Sequence, residues 1–493
     1  MRLALVFNPF KYKVHEENLR IVQKYFGLFP PLSISWVAAI ARRAGHEVTI
    51  IDARTLKLSK EEVAARLEAF APDIMGFMMT TYMFQDTLEW IRYFKKRFDI
   101  PVLIGGYNLR VYPEASLSHP EIDYGVIEHA LETVPLLFAA LEGRGSLEDV
   151  PGLVYKKDGA IVKNPPRPVM FEDFPSPARD LLPNDLYAEF PTERKNFTVM
   201  VTSLGCPYGC SFCEAGRTPY NPRSPMTVVD EMQECYDRYG IREIDIFDYS
   251  FTADRKRTIA ICREMRSRKL DLLWACRSRI DIDRELLEEM RLAGCGRIYY
   301  GIESGCQEIL DRVNKGITLD QVRETVRHTR KLGMKALGFF LIGAPGETER
   351  TVKQTVRFAR SLDLEYVQFS KCLAKPLTPL WEQMKQETGR DYWEDWVRGL
   401  EQDRPLPRPW TELTEAQVDR LSKWAYVNYH SRFRFLVRST LQVRSFSEFK
   451  RKLLGFLEMV FSQEDVSRGD DAFVAYNENS RRLDFYKKIA KYK

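Results

Sequence analysis

The sequence predicts an α/β protein with an N-terminal doubly wound sheet, a central partial barrel of six βα units and a helical C-terminal region. Short apolar runs alternate with amphipathic stretches over residues 3–143 and again over residues 198–376, as parallel strands and their connecting helices do. Proline becomes frequent between the two series, and five of the eight tryptophans lie beyond residue 380. The predicted domains are therefore 1–143, a linker with a hairpin at 144–190, the partial barrel at 191–385, and a helical domain at 386–493.

The individual elements follow from the apolar pattern. In the first series we predict strands at 3–7, 48–51, 74–79 and 102–104, with helices at 34–44 and 84–97. In the second series we predict strands at 199–202, 243–247, 272–275, 297–301, 336–342 and 366–370. Parallel strands end at the same edge of a sheet, so the residues that follow them are expected around one mouth: Cys206, Asp248, Arg279, Glu303 and Gly343. Gly105 and Gly106 follow the strand at 102–104, where open α/β sheets bind ligands.

The composition is that of an ordinary folded protein. Of 493 residues, 44% are apolar and 29% are charged, which excludes collagen-like and disordered chains. A net charge of +5 does not by itself indicate a nucleic-acid partner. Nine irregularly spaced cysteines exclude a disulfide framework and favour a reducing compartment, and the longest apolar stretch, 336–345, is about half of what a membrane span requires. The N-terminus resembles a strand rather than a signal peptide, so we expect a cytoplasmic protein.

Three cysteines form the most informative motif. Cys206, Cys210 and Cys213 are spaced C-x3-C-x2-C directly after a predicted strand. Cysteine thiolates hold iron–sulfur clusters, normally four at a time, so three leave one iron open to a ligand. Phe212 is placed to shield such a cluster or to stack on the ligand. The alternative is a structural zinc site, but its fourth ligand is missing, because Cys235 lies 22 residues further on a predicted helix.

The remaining cysteines are predicted to be ordinary core residues, since each lies singly among apolar neighbours. They are Cys235, Cys262, Cys276, Cys295, Cys306 and Cys372.

The cysteine motif and the strand series resemble the radical S-adenosylmethionine (SAM) superfamily over roughly residues 195–380. The resemblance implies that the three cysteines bind a [4Fe–4S] cluster whose open iron is chelated by the amino and carboxylate groups of SAM. In this family an electron from the cluster cleaves the sulfonium, giving methionine and a 5′-deoxyadenosyl radical that abstracts hydrogen. It also implies an oxygen-sensitive enzyme with a one-electron donor such as flavodoxin or ferredoxin.

The same resemblance assigns roles to other residues. Asp248 matches the acidic residue that holds the SAM amino group, although an ordinary strand-end cap is the alternative, and Arg279 matches the arginine at the SAM carboxylate. Glu303 and Ser304 match the motif that contacts the ribose. Gly343 begins the turn after the fifth strand and is a further cofactor-binding candidate, because glycine lets the backbone approach a ligand. Two departures concern the substrate side: Leu204 replaces a common arginine, and residues 375–378 replace a Pro-Tyr-Pro-Gly-Thr turn.

The N-terminal region resembles the Rossmann-like domain of the cobalamin-binding subfamily, in residues 7–9, 30–48 and 104–106. Those members bind cobalamin between the two domains, usually to relay a methyl group from SAM to a substrate carbon radical, and Gly105 and Gly106 are the matching candidates here. One departure is marked. Relatives often carry Gly-Glu-Gly-Glu where residues 128–131 read Glu-His-Ala-Leu, and the added β-carbons could crowd the ligand. No Asp-x-His-x-x-Gly segment is present, and neither His15 nor His129 is assigned a metal.

Basic and apolar residues alternate near the C-terminus. Residues 421–461 hold eight lysines and arginines against two glutamates, interleaved with aromatic and aliphatic residues. This pattern is typical of amphipathic helices at anionic lipid surfaces, and the alternative is a helical cap with a solvated basic face. It also resembles the tails of subfamily members linked to lipid and isoprenoid substrates, which suggests a lipid-like substrate and peripheral contact with the inner face of a membrane. No RNA-recognition motif accompanies it, so nucleic acid is not predicted as a partner.

Four functions remain to be compared. The leading hypothesis is cobalamin-dependent methylation of an unactivated carbon; the rival is a radical cyclase or ring-rearranging enzyme without methyl transfer, which the sequence at 128–131 favours. Methylthiolation of tRNA needs three further cysteines upstream, and residues 1–205 contain none. A non-catalytic iron–sulfur or lipid-surface binding protein would not need the cysteine triad together with Asp248, Arg279 and Glu303.

Overall fold

The structure is a computed structural model that describes residues 1–10, 27–189, 191–194, 196–362, 364–400 and 407–432. The strands are β1 (Arg2–Phe7), β2 (Gly27–Leu28), β3 (Glu47–Asp52), β4 (Ile74–Met78), β5 (Val102–Gly105), β6 (Tyr124–Val126), β7 (Leu153–Lys157), β8 (Ala160–Lys163), β9 (Ala188–Glu189), β10 (Phe197–Met200), β11 (Ser203–Cys206), β12 (Thr218–Pro222), β13 (Glu243–Ile246), β14 (Leu273–Ser278), β15 (Cys295–Glu303), β16 (Lys335–Ile342) and β17 (Tyr366–Lys371). The helices are α1 (Leu32–Arg43), α2 (Lys60–Phe70), α3 (Phe84–Lys95), α4 (Tyr107–Val111), α5 (Pro113–Leu117), α6 (Ala130–Leu141), α7 (Pro225–Arg238), α8 (Arg255–Ser267), α9 (Arg284–Leu292), α10 (Gln307–Arg312), α11 (Leu319–Lys331), α12 (Glu349–Ser361), α13 (Pro379–Thr388), α14 (Tyr392–Arg398) and α15 (Glu415–His430).

The N-terminal sheet is doubly wound, as predicted. Its seven strands lie in the order β3-β1-β4-β5-β6-β7-β8, and the first five in this order run parallel. Strand β1 is apolar on both faces, with Leu3, Ala4, Leu5 and Val6 at most 3% exposed, because helices cover the sheet from both sides. The carboxyl ends of β1, β4 and β5 therefore meet at one edge, where Gly105 lies.

The hairpin predicted in the linker is part of this first sheet. Strand β7 pairs antiparallel with β6, and β8 pairs antiparallel with β7, so residues 153–163 extend the sheet at its edge. Leu153, Val154 and Tyr155 are buried, which explains why the segment stays attached. The prediction of a connector over 144–190 is therefore corrected for these residues, which belong structurally to the N-terminal domain.

The second sheet is the predicted partial barrel. Its six strands run parallel in the order β10-β13-β14-β15-β16-β17 and form a curled half-barrel. On the outer face, Ile246, Cys276 and Tyr300 pack in one core with the surrounding helices. On the inner face, Ala275, Tyr299 and Leu337 form a separate small cluster that no α-helix of the described chain covers. The two faces alternate along each strand, as the pleat requires.

Local capping signals explain where several helices begin. Ser59, Thr318, Thr348 and Thr414 each accept a hydrogen bond from the backbone amide three residues later, and the side chain at that third position bonds back to the cap. Such a capping box satisfies two amide groups that the first helical turn leaves unpaired. Three of the four boxes begin helices of the half-barrel or its C-terminal extension, so the helices start at residues fixed by sequence.

The C-terminal region is helical where it is described. Helices α13 and α14 pack with Leu88 and Ile91 of the first domain in one core, whereas α15 packs along β17. Helix α15 covers the start of the basic segment 421–461, and residues 433–461 lie outside the described residues. In the described part of the chain, no helix combines the length and hydropathy needed to cross a bilayer.

Candidate active site

The cysteine loop is held by a short hairpin between the two domains. Strand β11 ends at Cys206 and pairs antiparallel with β12. Gly205 has a φ of +73°, and a β-carbon there would lie 1.9 Å from the carbonyl oxygen of Pro219. The hairpin thus approaches more closely than any side chain would permit, which explains the glycine before the first cysteine.

Tight turns direct the other two thiols inward. The amide of Cys213 donates to the carbonyl of Cys210 at 3.2 Å, and the amide of Gly216 donates to the carbonyl of Cys213 at 3.0 Å. Burial raises the pKa of the Cys213 thiol to about 11, with Cys210 and Cys206 adding to the shift after burial. Burial likewise raises the pKa of Cys206, again with Cys210 contributing. The Cys213 thiol is therefore influenced by both other thiols, and the Cys206 thiol by that of Cys210.

The donor set of the loop suits an iron–sulfur cluster. Cysteine thiolates are the ligands of such clusters, and three of them leave one iron of a four-iron cluster open to a further ligand. Among the described residues, no three His, Cys, Asp or Glu side chains are arranged to hold a single metal ion.

Arg279 lies beside this loop. Its Nη1 donates to the Cys210 sulfur at 3.7 Å, and its guanidinium lies 4.1 Å from the centre of the Tyr208 ring. Its Nη2 also donates to the Lys315 carbonyl, so the side chain, 8% exposed, is fixed in place. The structure thus brings Arg279 to the cluster loop, and a cation there favours negative charge on the sulfurs.

Asp248 has a different role from the one predicted for it. Its carboxylate is fully buried and accepts hydrogen bonds from the Thr202 amide, the Thr202 hydroxyl and the Ser203 hydroxyl, each at 2.6 Å. Both oxygens are thereby used within the protein, without exposed surface for a cofactor. The amino-group role does not fit this geometry, and Asp248 instead positions the start of the hairpin that carries Cys206.

Glu303 lies at a bulge in β15, one strand along from Arg279. It has a φ of +69°, a strained conformation for a residue with a side chain, and it accepts a hydrogen bond from Lys315 Nζ at 2.7 Å. The pair lies directly over Gly301, where a β-carbon would be 2.7 Å from Glu303 Oε1. Ser304 is buried and bonds to the Thr355 hydroxyl at 3.0 Å. Glu303 is therefore at the mouth as predicted, while Ser304 points into the protein.

Gly343 lies in a turn that the C-terminal region clamps. Its φ is +82°, and a β-carbon would lie 2.9 Å from a methyl of Val418. Its carbonyl accepts a hydrogen bond from the Trp410 indole at 2.9 Å. The space beside the Gly343 α-carbon is thus filled by Val418 of α15, and contact of this turn with a cofactor stays a prediction. In the same turn, Glu347 is fully buried, and burial raises its pKa to about 8.

The N-terminal domain faces the cluster loop across a cleft. Tyr107 follows Gly106, and its hydroxyl lies 3.5 Å from the Pro376 carbonyl of the half-barrel. Burial raises the Tyr107 pKa, and Glu214 and Tyr249 add to the shift. Half of the surface of Tyr249 is open, yet its surroundings raise its pKa to about 12, first by burial and then through Glu214. Sequence analysis missed these residues, because tyrosines after strand ends carry no motif.

Gly105 and the segment after β6 line the domain's side of this cleft. A β-carbon at Gly105 would meet nothing within 4 Å, so this edge is open to a ligand. Gly106 has a φ of +125° and lies against the Met79 backbone. Glu128 adopts a φ of +65°, the left-handed conformation that glycine favours, and lies 3.7 Å from Arg110. The backbone thus keeps a glycine-like shape where relatives carry glycine.

The remaining predicted residues lie as follows. Phe212 is half-buried and packs with the core that the first domain shares with α13 and α14. His129 is half-buried, with its ring 5.9 Å from that of Phe174, and burial lowers its pKa. His15 lies outside the described residues. The six cysteines predicted as core are all buried.

Comparison with known proteins agrees with this two-domain site. The family model of the radical SAM superfamily matches residues 200–359, and that of the B12 binding domain matches residues 20–138. The chain is 31% identical over 440 residues to an uncharacterized methyltransferase of Pyrococcus horikoshii, covering 88% of this chain and 94% of the relative. The chain belongs to the cobalamin-binding branch of the radical SAM superfamily. It is a radical SAM enzyme, and the cofactors of this branch are a [4Fe–4S] cluster, SAM and cobalamin.

Two further proteins are also similar to this chain. The anaerobic magnesium-protoporphyrin IX monomethyl ester cyclase of Rubrivivax gelatinosus is 27% identical over 373 residues, covering 73% of this chain and 67% of the cyclase. The radical SAM methyltransferase TsrM from Kitasatospora setae, solved with cobalamin and a [4Fe–4S] cluster, superposes with a TM-score of 0.62 at 23% identity, covering 78% of this chain and 75% of TsrM. The similarity to the TsrM structure shows that the two chains share a fold.

Proposed function

We propose that this radical SAM enzyme is a cobalamin-dependent methyltransferase that acts on an unactivated carbon. The observation that carries the proposal is the contact between the two domains at this cleft. The hydroxyl of Tyr107, next to Gly106, lies 3.5 Å from the Pro376 carbonyl, and Phe212 of the cysteine loop packs against the core that contains residues of the first domain. A methyl carrier bound over Gly105 and a cluster bound at the cysteine loop would share this cleft, so a substrate between them could reach both. The nearness of the two sites favours methyl relay over two separate activities.

Each part of the cleft has a task in this proposal. Cys206, Cys210 and Cys213 would hold the cluster, Arg279 and Glu303 would orient SAM, and Gly105 would let cobalamin approach the sheet. When bound, these cofactors supply a hydrogen-abstracting radical and a transferable methyl group. Overall, one SAM becomes methionine and 5′-deoxyadenosine, a second becomes S-adenosylhomocysteine, two electrons are consumed, and a substrate C–H bond becomes C–CH3. Phe212 and the half-open Tyr249 would exclude water from the radical.

The rival function is a cyclase or ring-rearranging enzyme without methyl transfer, which the missing glycines at 128–131 favour. The backbone argues against this rival, because Glu128 keeps the left-handed φ of +65° and its carboxylate is drawn toward Arg110. A side chain held aside in this way leaves the approach to the sheet edge open. The methyltransferase proposal therefore keeps cobalamin in its usual place.

For the substrate, the basic pattern over 421–461 supports a lipid-like molecule and contact with an anionic membrane surface. A one-electron donor such as flavodoxin or ferredoxin would supply the electrons, since the chemistry consumes them. The proposed domains are 1–143 together with the hairpin at 153–163, the half-barrel at 191–385 and the C-terminal region at 386–493, and limited proteolysis between them probes the boundaries.

Corrinoid retention tests the proposal. Anaerobically reconstituted protein is incubated with hydroxocobalamin, passed through a desalting column and examined by visible absorbance. We expect near-stoichiometric corrinoid in the wild type and its loss in Gly105→Leu, whose side chain would fill the open space at the sheet edge. Gly145→Leu, at a surface position where a β-carbon meets backbone only at 3.9 Å, is the matched control. Wild-type protein without corrinoid, or Gly105→Leu protein that retains it, would contradict the proposed site.

A further inference from the structure

The inner face of the half-barrel carries side chains that remain partly open. Five half-buried residues lie on four strands or strand ends of the sheet: Phe247, Arg277, Phe339, Tyr366 and Gln368. The outer-face residues between them, such as Ile246, Cys276 and Phe340, are completely buried under helices. The inner face is therefore a surface that a ligand can reach from within the curled sheet.

Arg277 is a cation on this face, and its neighbours hold it rigidly. Its guanidinium lies 3.6 Å from the centre of the Phe247 ring and 5.1 Å from that of Tyr299. Its Nη1 donates to Asp245 Oδ1 at 3.0 Å and to the Ile246 carbonyl at 3.3 Å. Two aromatic rings and two acceptors thus fix one edge of a planar group that offers five N–H donors.

The other edge of Arg277 is free to bind a ligand. Within the described residues, its Nε and Nη2 have no hydrogen-bond partner in the protein. The side chain is 20% exposed, whereas Asp245 beside it is fully buried. A fixed guanidinium with free donors toward an open interior is preorganised for an oxyanion, because two parallel N–H groups match two oxygens.

Further charged groups lie near Arg277 on β9, β13 and β15. Arg297 pairs with Glu243 and Glu189, and all three side chains are fully buried. Burial raises the pKa of Glu189. Two guanidinium groups thus lie among three acidic side chains, Asp245, Glu243 and Glu189. Among these groups, Arg277 is the one with surface toward the interior, so a ligand meets its positive charge first.

The interior beside Arg277 is aromatic. The Tyr299 ring stacks on Phe339 with centres 5.7 Å apart and an angle of 18°, and Tyr366 joins the same cluster. Farther along, Gln368 Nε2 donates to the Ser370 hydroxyl at 3.1 Å. An apolar body lying along Phe339 and Tyr366 would bring an attached anionic group to Arg277.

We propose that Arg277 is a specificity-determining residue that binds an oxyanion, a carboxylate or phosphate-type group, on the substrate of this enzyme. This inference rests on the proposed function, because it places the substrate inside the half-barrel. Arg279 lies two residues further along the same strand end, at the Cys210 sulfur, so Arg277 lies about 7 Å deeper. The substrate group is thereby held away from the reacting end, as specificity contacts commonly are.

Binding of two small probes tests the proposal. Benzoate and its neutral analogue benzamide are titrated into anaerobically reconstituted holoenzyme, with binding followed by saturation-transfer NMR. For the wild type we expect benzoate to bind at least about tenfold more tightly than benzamide, as one charge-assisted pair of hydrogen bonds allows. Arg277→Gln should lose this preference, and Arg277→Lys, which keeps the charge without the fork, should retain part of it. Arg323→Gln, which changes an exposed arginine on α11, is the matched control and should behave as wild type.

A second measurement separates the two sources of an oxyanion, the substrate and SAM itself. Addition of SAM perturbs the electron paramagnetic resonance spectrum of a reduced cluster, and the SAM concentration for half-maximal change is compared between wild type and Arg277→Gln. Unchanged SAM binding together with a lost benzoate preference supports the proposal. A large loss of SAM affinity in Arg277→Gln would assign the guanidinium to the SAM carboxylate and overturn it. Equal binding of benzoate and benzamide by the wild type would overturn it as well.

Folding and the proposed function are checked separately. Thermal unfolding shows whether Arg277→Gln is folded. If it is not, the double variant Arg277→Met with Asp245→Asn takes its place, because it removes both charges of the pair. A folded double variant without benzoate preference would support the proposal. A double variant that keeps the preference would contradict it. Loss of corrinoid and of S-adenosylhomocysteine formation would contradict methyl transfer while leaving the benzoate result standing.

Discussion

Asp248 and Thr202 are joined by two hydrogen bonds of 2.6 Å, one from the Thr202 amide to Oδ1 and one from its hydroxyl to Oδ2. These bonds connect the end of β13 to the residue that precedes β11, and β11 leads directly to Cys206. The carboxylate is fully buried and also accepts from the Ser203 hydroxyl, so its loss would leave three donors without this acceptor. The position of the first cluster ligand thus depends on a strand end elsewhere in the half-barrel.

Asp248→Ala should lower the iron and sulfide content of reconstituted protein to a small fraction of the wild-type value. Asp248→Asn should lose less, since its amide oxygen can still accept the bond from Thr202 while the NH2 group faces a hydroxyl. Asp320→Ala, on the exposed start of α11, serves as the control. Iron and sulfide are measured by chemical analysis. Normal loading in Asp248→Ala would show that the hairpin holds its shape without this carboxylate.

Gly205→Ala should prevent assembly of the cysteine hairpin. Its β-carbon would meet the Pro219 carbonyl oxygen at 1.9 Å, a clash with backbone that no side-chain movement relieves. Gly45→Ala is a matched control: its φ of +85° is equally left-handed, but nothing lies within 4 Å. We expect the control to lose about 1 kcal/mol of stability and to keep its cluster. The visible absorbance of the [4Fe–4S] cluster after reconstitution distinguishes Gly205→Ala from Gly45→Ala. Equal losses of cluster in both variants would mean that backbone strain rather than the clash prevents assembly.

Arg279→Gln should lower the reduction potential of the cluster. The guanidinium donates to the Cys210 sulfur at 3.7 Å, and a cation beside a sulfur ligand stabilises the reduced, more negative cluster. We expect a fall on the order of 50 mV in the absence of SAM. Arg279→Lys should fall less, since it retains the charge, and spectroscopic redox titration measures both. A reduction potential equal to the wild-type value would show that Arg279 does not lie close enough to the cluster to influence it.

Glu347→Gln should stabilise the enzyme, and more so as pH rises. The Glu347 pKa is raised from 4.5 to about 8 by burial, so its favourable contribution is complete below pH 4.5 and is lost between pH 4.5 and 8. The amide of glutamine can accept the same bonds from Gly343 and Ala344 without charging. We expect the Tm of the variant to match wild type near pH 5 and to exceed it by about 2 °C or more at pH 8.

Glu349→Gln, a change of exposed charge two residues away, is the control for Glu347→Gln and should show no such trend. A constant difference in Tm across pH, or a destabilised variant at pH 8, would mean that Glu347 is ionised in the folded protein.

The sequence predicted the strands well because burial imposes a period on them. The predicted strands at 243–247 and 336–342 differ from the observed β13 and β16 by one residue, since the apolar run and its polar end coincide with the sheet edge. The hairpin at 153–163 was expected in a linker, because nothing in its own residues shows that β6 offers a free edge for pairing. Pairing partners far apart in sequence are decided by the fold.

The parts of the site that depend on a fixed spacing of residues along the chain could be predicted. The parts that depend on contacts between distant segments could not. The three cysteines follow from their spacing on one loop. The bonds of Asp248 to Thr202 and the closeness of Tyr107 to Tyr249 depend on how distant segments pack, so no local pattern shows them. Gly343 illustrates the same point: its glycine was expected to serve a cofactor, whereas Val418 of a C-terminal helix occupies the space.

The most direct test of the account is product analysis of the reconstituted enzyme with hydroxocobalamin, a strong reductant, SAM and a cell extract as the source of substrate. Mass spectrometry follows 5′-deoxyadenosine and S-adenosylhomocysteine. The account predicts that both form, in nearly equal amounts once substrate is present, and that Gly105→Leu loses S-adenosylhomocysteine. Formation of 5′-deoxyadenosine alone, with no dependence on corrinoid, would contradict methyl transfer and support the cyclase.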